Sequence, residues 1–321
     1  MVNPTLRQQI TQFAALPLRI EAKTLAEGYR AGLHRATTKG SGVEFAGHRP
    51  YTPGDDLRHL DRHAQLRHNR LLIRQFQTET ERALHVVCDV STSMAYADPS
   101  ATASRSKLDL ALLLTASLLY LAGKAGDEPG LTLIDGHEAH TILGKGRTSG
   151  LEHMMLLLEE QRRPALLPSS LSSPPQAPLD PEKNWSKALH FLGDSLRRGA
   201  IVVLVSDFLD LTPAIATHVG QLASLGRTLR AVQVLTRSEV TFPFEGAAHF
   251  IDPETGAQVR TDAEKVKSQY DRALLELTSP LRSELKRGGG SFLRVVTDEA
   301  PDRALAQLAS GLPLKGDQPW G

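Results

Sequence analysis

One cysteine in 321 residues, Cys88, leaves no partner for an internal disulfide and excludes a multi-cysteine zinc site. It sits inside an apolar strand, where it reads as a small buried filler. Aromatic residues make up only 5% of the chain, and few fall in its basic part, so no nucleic-acid partner is expected. Long apolar runs are also missing. Leu108 to Gly123 contains Asp109, Thr115 and Ser117, and at about 16 residues it falls short of the roughly 20 that span a bilayer. It reads instead as a helix buried on nearly all sides. Met1-Val2-Asn3-Pro4 leads into the mostly polar Thr5-Leu6-Arg7-Gln8-Gln9, so no signal peptide is expected. The expectation is a soluble, cytoplasmic protein with no membrane span. No Walker loop occurs, and no G-x-S-x-G elbow surrounds a serine.

Excess charge of one sign is absent too, since the formal net charge is +1, but its distribution is uneven. Up to residue 75 there are 12 Lys and Arg against 6 Asp and Glu; the remainder holds 25 against 30. The basic part also carries His34, His48, His59, His63 and His68. Two regions of opposite charge that attract one another explain this pattern best. His59 and His63, four apart, read more simply as a solvated basic face than as a metal site.

The informative feature that is present is an apolar run, Ala83-Leu84-His85-Val86-Val87-Cys88, ending in Asp89-Val90-Ser91-Thr92-Ser93. A second run, Ile201-Val202-Val203-Leu204-Val205, ends the same way in Ser206-Asp207. Buried strands that deliver oxygen groups at their carboxyl ends mark the ligand edge of an α/β sheet. Asp89, Ser91, Ser93 and Asp207 together make a hard, all-oxygen donor set. Such a set suits Mg²⁺ or Mn²⁺ and not zinc.

Around these strands the pattern alternates. Helices are expected at 108–123, 149–162, 185–197 and 213–225, the last opened by Thr212 and Pro213. A hairpin is expected across Asp135-Gly136-His137, a strand at 229–235 and an exposed proline-rich loop at 164–181. A β segment near His249–Gly256, a long helix at 262–287, a strand at 292–296 and a helix near 302–310 complete the chain. The fold class is therefore α/β, a mainly parallel doubly wound sheet with N-terminal and C-terminal additions. The divisions fall at 1–80, a helical and basic β/turn segment; 81–240, the α/β domain; and 241–321, a helix–strand extension packed on the same core.

Asp89-x-Ser91-x-Ser93 resembles the metal-ion-dependent adhesion site of von Willebrand factor A domains. Gly42-Val43-Glu44-Phe45, Arg49-Pro50-Tyr51, Pro53-Gly54-Asp55-Asp56-Leu57-Arg58 and Leu60-Asp61 precede it. Ser206-Asp207-Phe208-Leu209-Asp210, Asp252-Pro253-Glu254-Thr255-Gly256 and Val296-Thr297-Asp298 follow. With these the chain resembles, over nearly its whole length, the bacterial family called domain of unknown function 58, whose members carry a von Willebrand factor A-like domain. The resemblance implies a metal held by Asp89, Ser91, Ser93 and Asp207, with one coordination position left for an acidic side chain of a protein partner. It also implies an adaptor or cochaperone role beside a MoxR-type AAA+ ATPase, and no catalysis.

The chain departs from that pattern in two places. Arg62 stands where the family usually has Trp. The Thr expected as third ligand falls on Lys183, with Asn184 beside it, and an ammonium there would replace the cation near Asp89 and Asp207. Thr148 is an alternative oxygen donor from the preceding helix start. A metal-free scaffold with a degenerate site is thus the rival reading. A hydrolase using Asp89 is the weaker one, because the second carboxylate it needs two residues later is Ser91.

Overall fold

The computed structural model describes residues 17–36, 45–52, 71–76, 83–98, 105–144, 149–165, 180–252 and 256–309. The chain divides into two compact units: residues 30–81, and residues 1–29 together with 82–321. In the smaller unit, strands β1 (Phe45–Pro50) and β2 (Leu72–Phe76) pair antiparallel, Arg49 opposite Ile73, with a bulge between Phe45 and Gly47.

The larger unit is built on six strands: β3 (Ala83–Asp89), β4 (Glu128–Ile134), β5 (Ala139–Ile142), β6 (Ile201–Ser206), β7 (Thr228–Leu235) and, far along the chain, β10 (Ser291–Val296). Their order is β10-β7-β6-β3-β4-β5, and every pairing is parallel except the β4–β5 hairpin. This is the mainly parallel α/β sheet expected from the alternating pattern, in the von Willebrand factor A-like form that the resemblance implies. Residues beyond 240 contribute a strand to the main sheet itself.

Side chains alternate between the two faces, as the strand period of two requires. Val86, Cys88, Val203, Val205, Val232 and Val234 meet α1 (Leu18–Ala36), α2 (Lys107–Ala125), α3 (Ser149–Ala165) and α8 (Pro301–Ala309). Val87, Val202, Leu204, Leu229 and Ala231 meet α4 (Pro181–Ser195), α5 (Pro213–Ser224) and α7 (Ala263–Arg287). Trp185 lies in this second core, its ring 6.3 Å from that of Phe208. Burial pushes the Cys88 thiol up to about 12, which fits an inert core filler.

Helix α2 is the centre of the first layer. Ser106 caps it, its hydroxyl accepting from the Asp109 amide at 3.1 Å, and Gly126 ends it at φ 85°, a left-handed conformation that glycine adopts without strain. Leu110, Leu112 and Leu114 are fully buried, each stabilising the fold by about 1.5–3 kcal/mol. At 19 residues α2 outruns the expected span at both ends, and it is long and apolar enough to cross a membrane. Of its most apolar 18-residue stretch, 72% is nonetheless buried within the folded unit. Its polar face is held by Arg162 of α3, which donates to Asp109 at 2.6 Å and to Glu21 of α1 at 2.9 Å.

Past β7, the short α6 (Arg237–Thr241) was not foreseen. Thr236 and Glu239 form a reciprocal capping box around it. The expected β segment is one arm of a hairpin, β8 (Ala247–Ile251) with β9 (Gln258–Asp262), that stands apart from the main sheet. The loop expected over 164–181 lies mostly outside the described residues, as do Thr148, Arg58, His59 and His63.

Candidate functional site

The parallel register of β3 and β6 brings the two diagnostic strand ends level. Cys88 lies opposite Val205, which sets Asp89 beside Ser206. The Ser206 hydroxyl donates to Asp89 Oδ2 at 2.6 Å, and the Ser91 amide donates to Oδ1 at 2.9 Å. The loop then turns through a single 3₁₀ turn, Thr92–Ala95, so that the hydroxyls of Ser91 and Ser93 face each other at 3.1 Å. Asp89 is 6% exposed and Ser93 8%. Burial first, and then the nearby Asp207 carboxylate, push Asp89 up to about 6 against the pull of its two serine hydrogen bonds.

Asp207 is buried as well, its Oδ1 accepting from the Leu209 amide at 3.0 Å. Phe208 between them adopts φ 55°, a left-handed backbone unusual for a residue with a side chain, and the Ser206 hydroxyl accepts its amide at 2.9 Å. Gln233 of β7 donates to the Asp207 carbonyl at 3.0 Å. The loop end is thereby fixed from three strands.

The structure supplies a counter-charge that the sequence reading placed elsewhere. Lys107, the first residue of α2, is 1% exposed and donates to Asp207 Oδ2 and to Glu239 Oε1, both at 2.7 Å. Burial works to lower this ammonium, but Asp207 and Glu239 outweigh it and hold it above its ordinary value. The Glu239 second oxygen accepts from the Thr236 amide and hydroxyl at 2.7 and 2.9 Å. Lys183, expected to carry the ammonium, is exposed, and its described role is an amide donated to the Asp180 cap at 3.0 Å. It starts an amphipathic helix whose inward positions are Asn184 and Trp185, so its own side chain is turned to water. The Thr148 alternative lies outside the described residues.

Among the described residues no group of three or more His, Cys, Asp and Glu side chains is placed to hold a metal. A cation here would need the hydroxyl pair. Ser91 and Ser93 beside Asp89 form an oxygen donor set that fits Mg²⁺ or Mn²⁺, while Asp207 is already engaged by Lys107. Sequence reasoning named Asp89, Ser91, Ser93 and Asp207, which the structure brings to one edge of the sheet, and did not name Lys107 and Glu239. The signal for Lys107 was a positive charge at the first position of a helix, where the macrodipole disfavours it unless carboxylates are near.

A mainly parallel α/β sheet with an Asp-x-Ser-x-Ser loop at the carboxyl end of its central strand is a von Willebrand factor A-like domain. The family model described as protein of unknown function DUF58 matches residues 47–278, and the chain belongs to that family. An uncharacterized protein of Mycobacterium tuberculosis is 24% identical over 282 residues, 88% of this chain and 83% of its own length. Among solved structures, an aerotolerance-related membrane protein from Bacteroides fragilis is similar at 18% identity and TM-score 0.42, covering 70% of this chain and 94% of that one. An uncharacterized membrane spanning protein from Vibrio fischeri is similar at 14% identity and TM-score 0.22, covering 69% and 94%. Both of those are described as membrane proteins, and on that finding the expectation of a cytoplasmic protein does not stand.

Proposed function

We propose that the chain is a non-enzymatic protein-interaction module whose contact point is the Asp89 loop. Asp89, Ser91 and Ser93 would hold Mg²⁺ or Mn²⁺, with Asp207 behind them, and the acidic side chain of a partner would complete the shell. The cation supplies a bridge between two anionic surfaces that would otherwise repel. The observation that carries this reading is the pair of hydroxyls facing each other at 3.1 Å beside a buried carboxylate. The resemblance to MoxR-associated proteins makes a MoxR-type AAA+ ATPase the partner to try first, with this chain as its adaptor or cochaperone. Catalysis finds no support in the loop. The position two residues after Asp89 is Ser91, and His85 of the same strand engages Thr132 at 2.8 Å.

A metal-free scaffold remains the second reading, favoured by the Lys107 ammonium between Asp207 and Glu239. Isothermal titration of the chelator-stripped protein separates the two. Saturable Mg²⁺ or Mn²⁺ binding that Asp89→Ala abolishes supports the adhesion-type site. No heat at millimolar cation selects the scaffold, and partner binding should then ignore both chelator and Asp89→Ala.

A further inference from the structure

Asp207 is the member of the cation site that is already paired with a positive charge. Its Oδ1 accepts the Leu209 amide at 3.0 Å, and Oδ2, the oxygen left for a cation, accepts from the Lys107 ammonium at 2.7 Å. Asp207 is 2% exposed, and a carboxylate that deep gives up one positive partner only at a high cost unless it gains another. Release of the ammonium and arrival of a divalent cation are therefore linked. Such a linkage is reciprocal, so the ammonium lowers the affinity for the cation as much as the cation loosens the ammonium.

The second carboxylate on Lys107 is built to keep the ammonium. Glu239 Oε1 accepts from Lys107 at 2.7 Å, while Oε2 is fixed by the Thr236 amide and hydroxyl at 2.7 and 2.9 Å. That hold comes from the capping box of α6 and owes nothing to Asp207. The Tyr96 ring centroid lies 5.9 Å from the same nitrogen, within range of a cation–π attraction. Glu239 is 16% exposed and reaches water, so a pair between it and Lys107 alone costs less desolvation than one with Asp207.

We propose that Lys107 is a tethered antagonist of the Mg²⁺ or Mn²⁺ site, and that Glu239 is the seat its ammonium keeps when Asp207 serves the cation. The inference rests on reading the Asp89 loop as a cation site. Lys107 weakens cation binding by holding Asp207, and Glu239 strengthens it by drawing the ammonium aside. The two residues thus act on affinity with opposite sign, although they form one ion-paired group. A network that only kept the loop in shape would weaken cation binding when cut from either end.

Calorimetric titration of Mg²⁺ and Mn²⁺ into the chelator-stripped full chain tests this in the parent, in Glu239→Gln and in Lys107→Met/Glu239→Gln. Glutamine serves in a capping box as glutamate does, so Glu239→Gln keeps the start of α6, and circular dichroism checks its fold. It should bind the cation at least about threefold more weakly than the parent. The double variant loses the ammonium together with one of the carboxylates it neutralised, and should bind at least about tenfold more tightly. Saturating Mg²⁺ should also raise its melting temperature further than the parent's. Glu239→Gln alone keeps the proposal falsifiable if the double variant does not fold: affinity equal to or above the parent's overturns it. Weaker binding in both variants, or parent-like affinity in both, would overturn the inference and leave the cation site standing. Binding in the double variant that the parent lacks, abolished by adding Asp89→Ala, would support it, with the ammonium holding the parent's site shut. Heat from neither the parent nor the double variant would overturn the inference and the cation-site reading together.

Discussion

Replacing Lys107 with Met keeps most of the side chain's volume and removes only its charge. The ammonium is 1% exposed and lies 2.7 Å from Asp207, itself 2% exposed, and 2.7 Å from Glu239, 16% exposed. Without it two carboxylates face each other in a region from which water is largely excluded. Breaking a buried pair by deleting one partner costs about 3–5 kcal/mol, because the remaining charge is left uncompensated. For a unit of this size that corresponds to a melting temperature lower by roughly 6–20 °C. Urea denaturation at neutral pH, with the m-value checked for constancy, reads the loss directly. Adding Asp207→Asn and Glu239→Gln to Lys107→Met should restore part of the stability, a coupling that separate losses would not show. A loss below about 0.5 kcal/mol for Lys107→Met alone would refute the argument, since that is the range of ordinary surface substitutions.

His85 is 1% exposed, and burial pushes its pKa down to about 3. The unfolded chain takes up that proton near pH 6.5 while the folded one refuses it. Stability should therefore fall by about 1.4 kcal/mol per pH unit below 6.5, until pH approaches 3. His85→Gln should lose this contribution, and an unchanged pH slope in denaturant titrations would exclude it. Gly290 leads from α7 into β10, and a methyl group there would stand 2.6 Å from the Leu229 carbonyl and 3.1 Å from the Leu285 side chain. Gly290→Ala should cost about 1–3 kcal/mol in thermal melting, as overpacking does, and a parent-like melt would show that this turn can yield.

What could be read from the sequence was what short stretches encode by themselves. Continuous apolar strands followed by Asp89 and Asp207 announced a parallel sheet and the edge at which these residues meet, because only residues at strand ends can converge there. Thr212 with Pro213 announced a helix start, and the observed cap is the Thr212 hydroxyl accepting the Ile215 amide at 3.3 Å. The counter-charge was expected from family spacing at Lys183, but spacing does not say which way a helical side chain points. Lys107 comes to the same carboxylate from a position 100 residues before Asp207, across a packed layer. The ring cluster beside α6 was not legible for a similar reason. Phe242, Phe250 and Tyr270 lie on three different elements and meet only once α7 has returned over the hairpin.

The position of β10 bears on how the chain comes off the ribosome. It is the last strand in sequence, yet its in-register partner is β7, from Ser291 against Arg230 to Val296 against Leu235. Until the hairpin and α7 have been made, β7 is an open edge, and Phe292, Leu293 and Val295 are missing from the two apolar layers they later complete. At roughly 5–20 residues per second that state lasts for seconds, long enough for an unpaired parallel edge to meet a chaperone or another nascent chain.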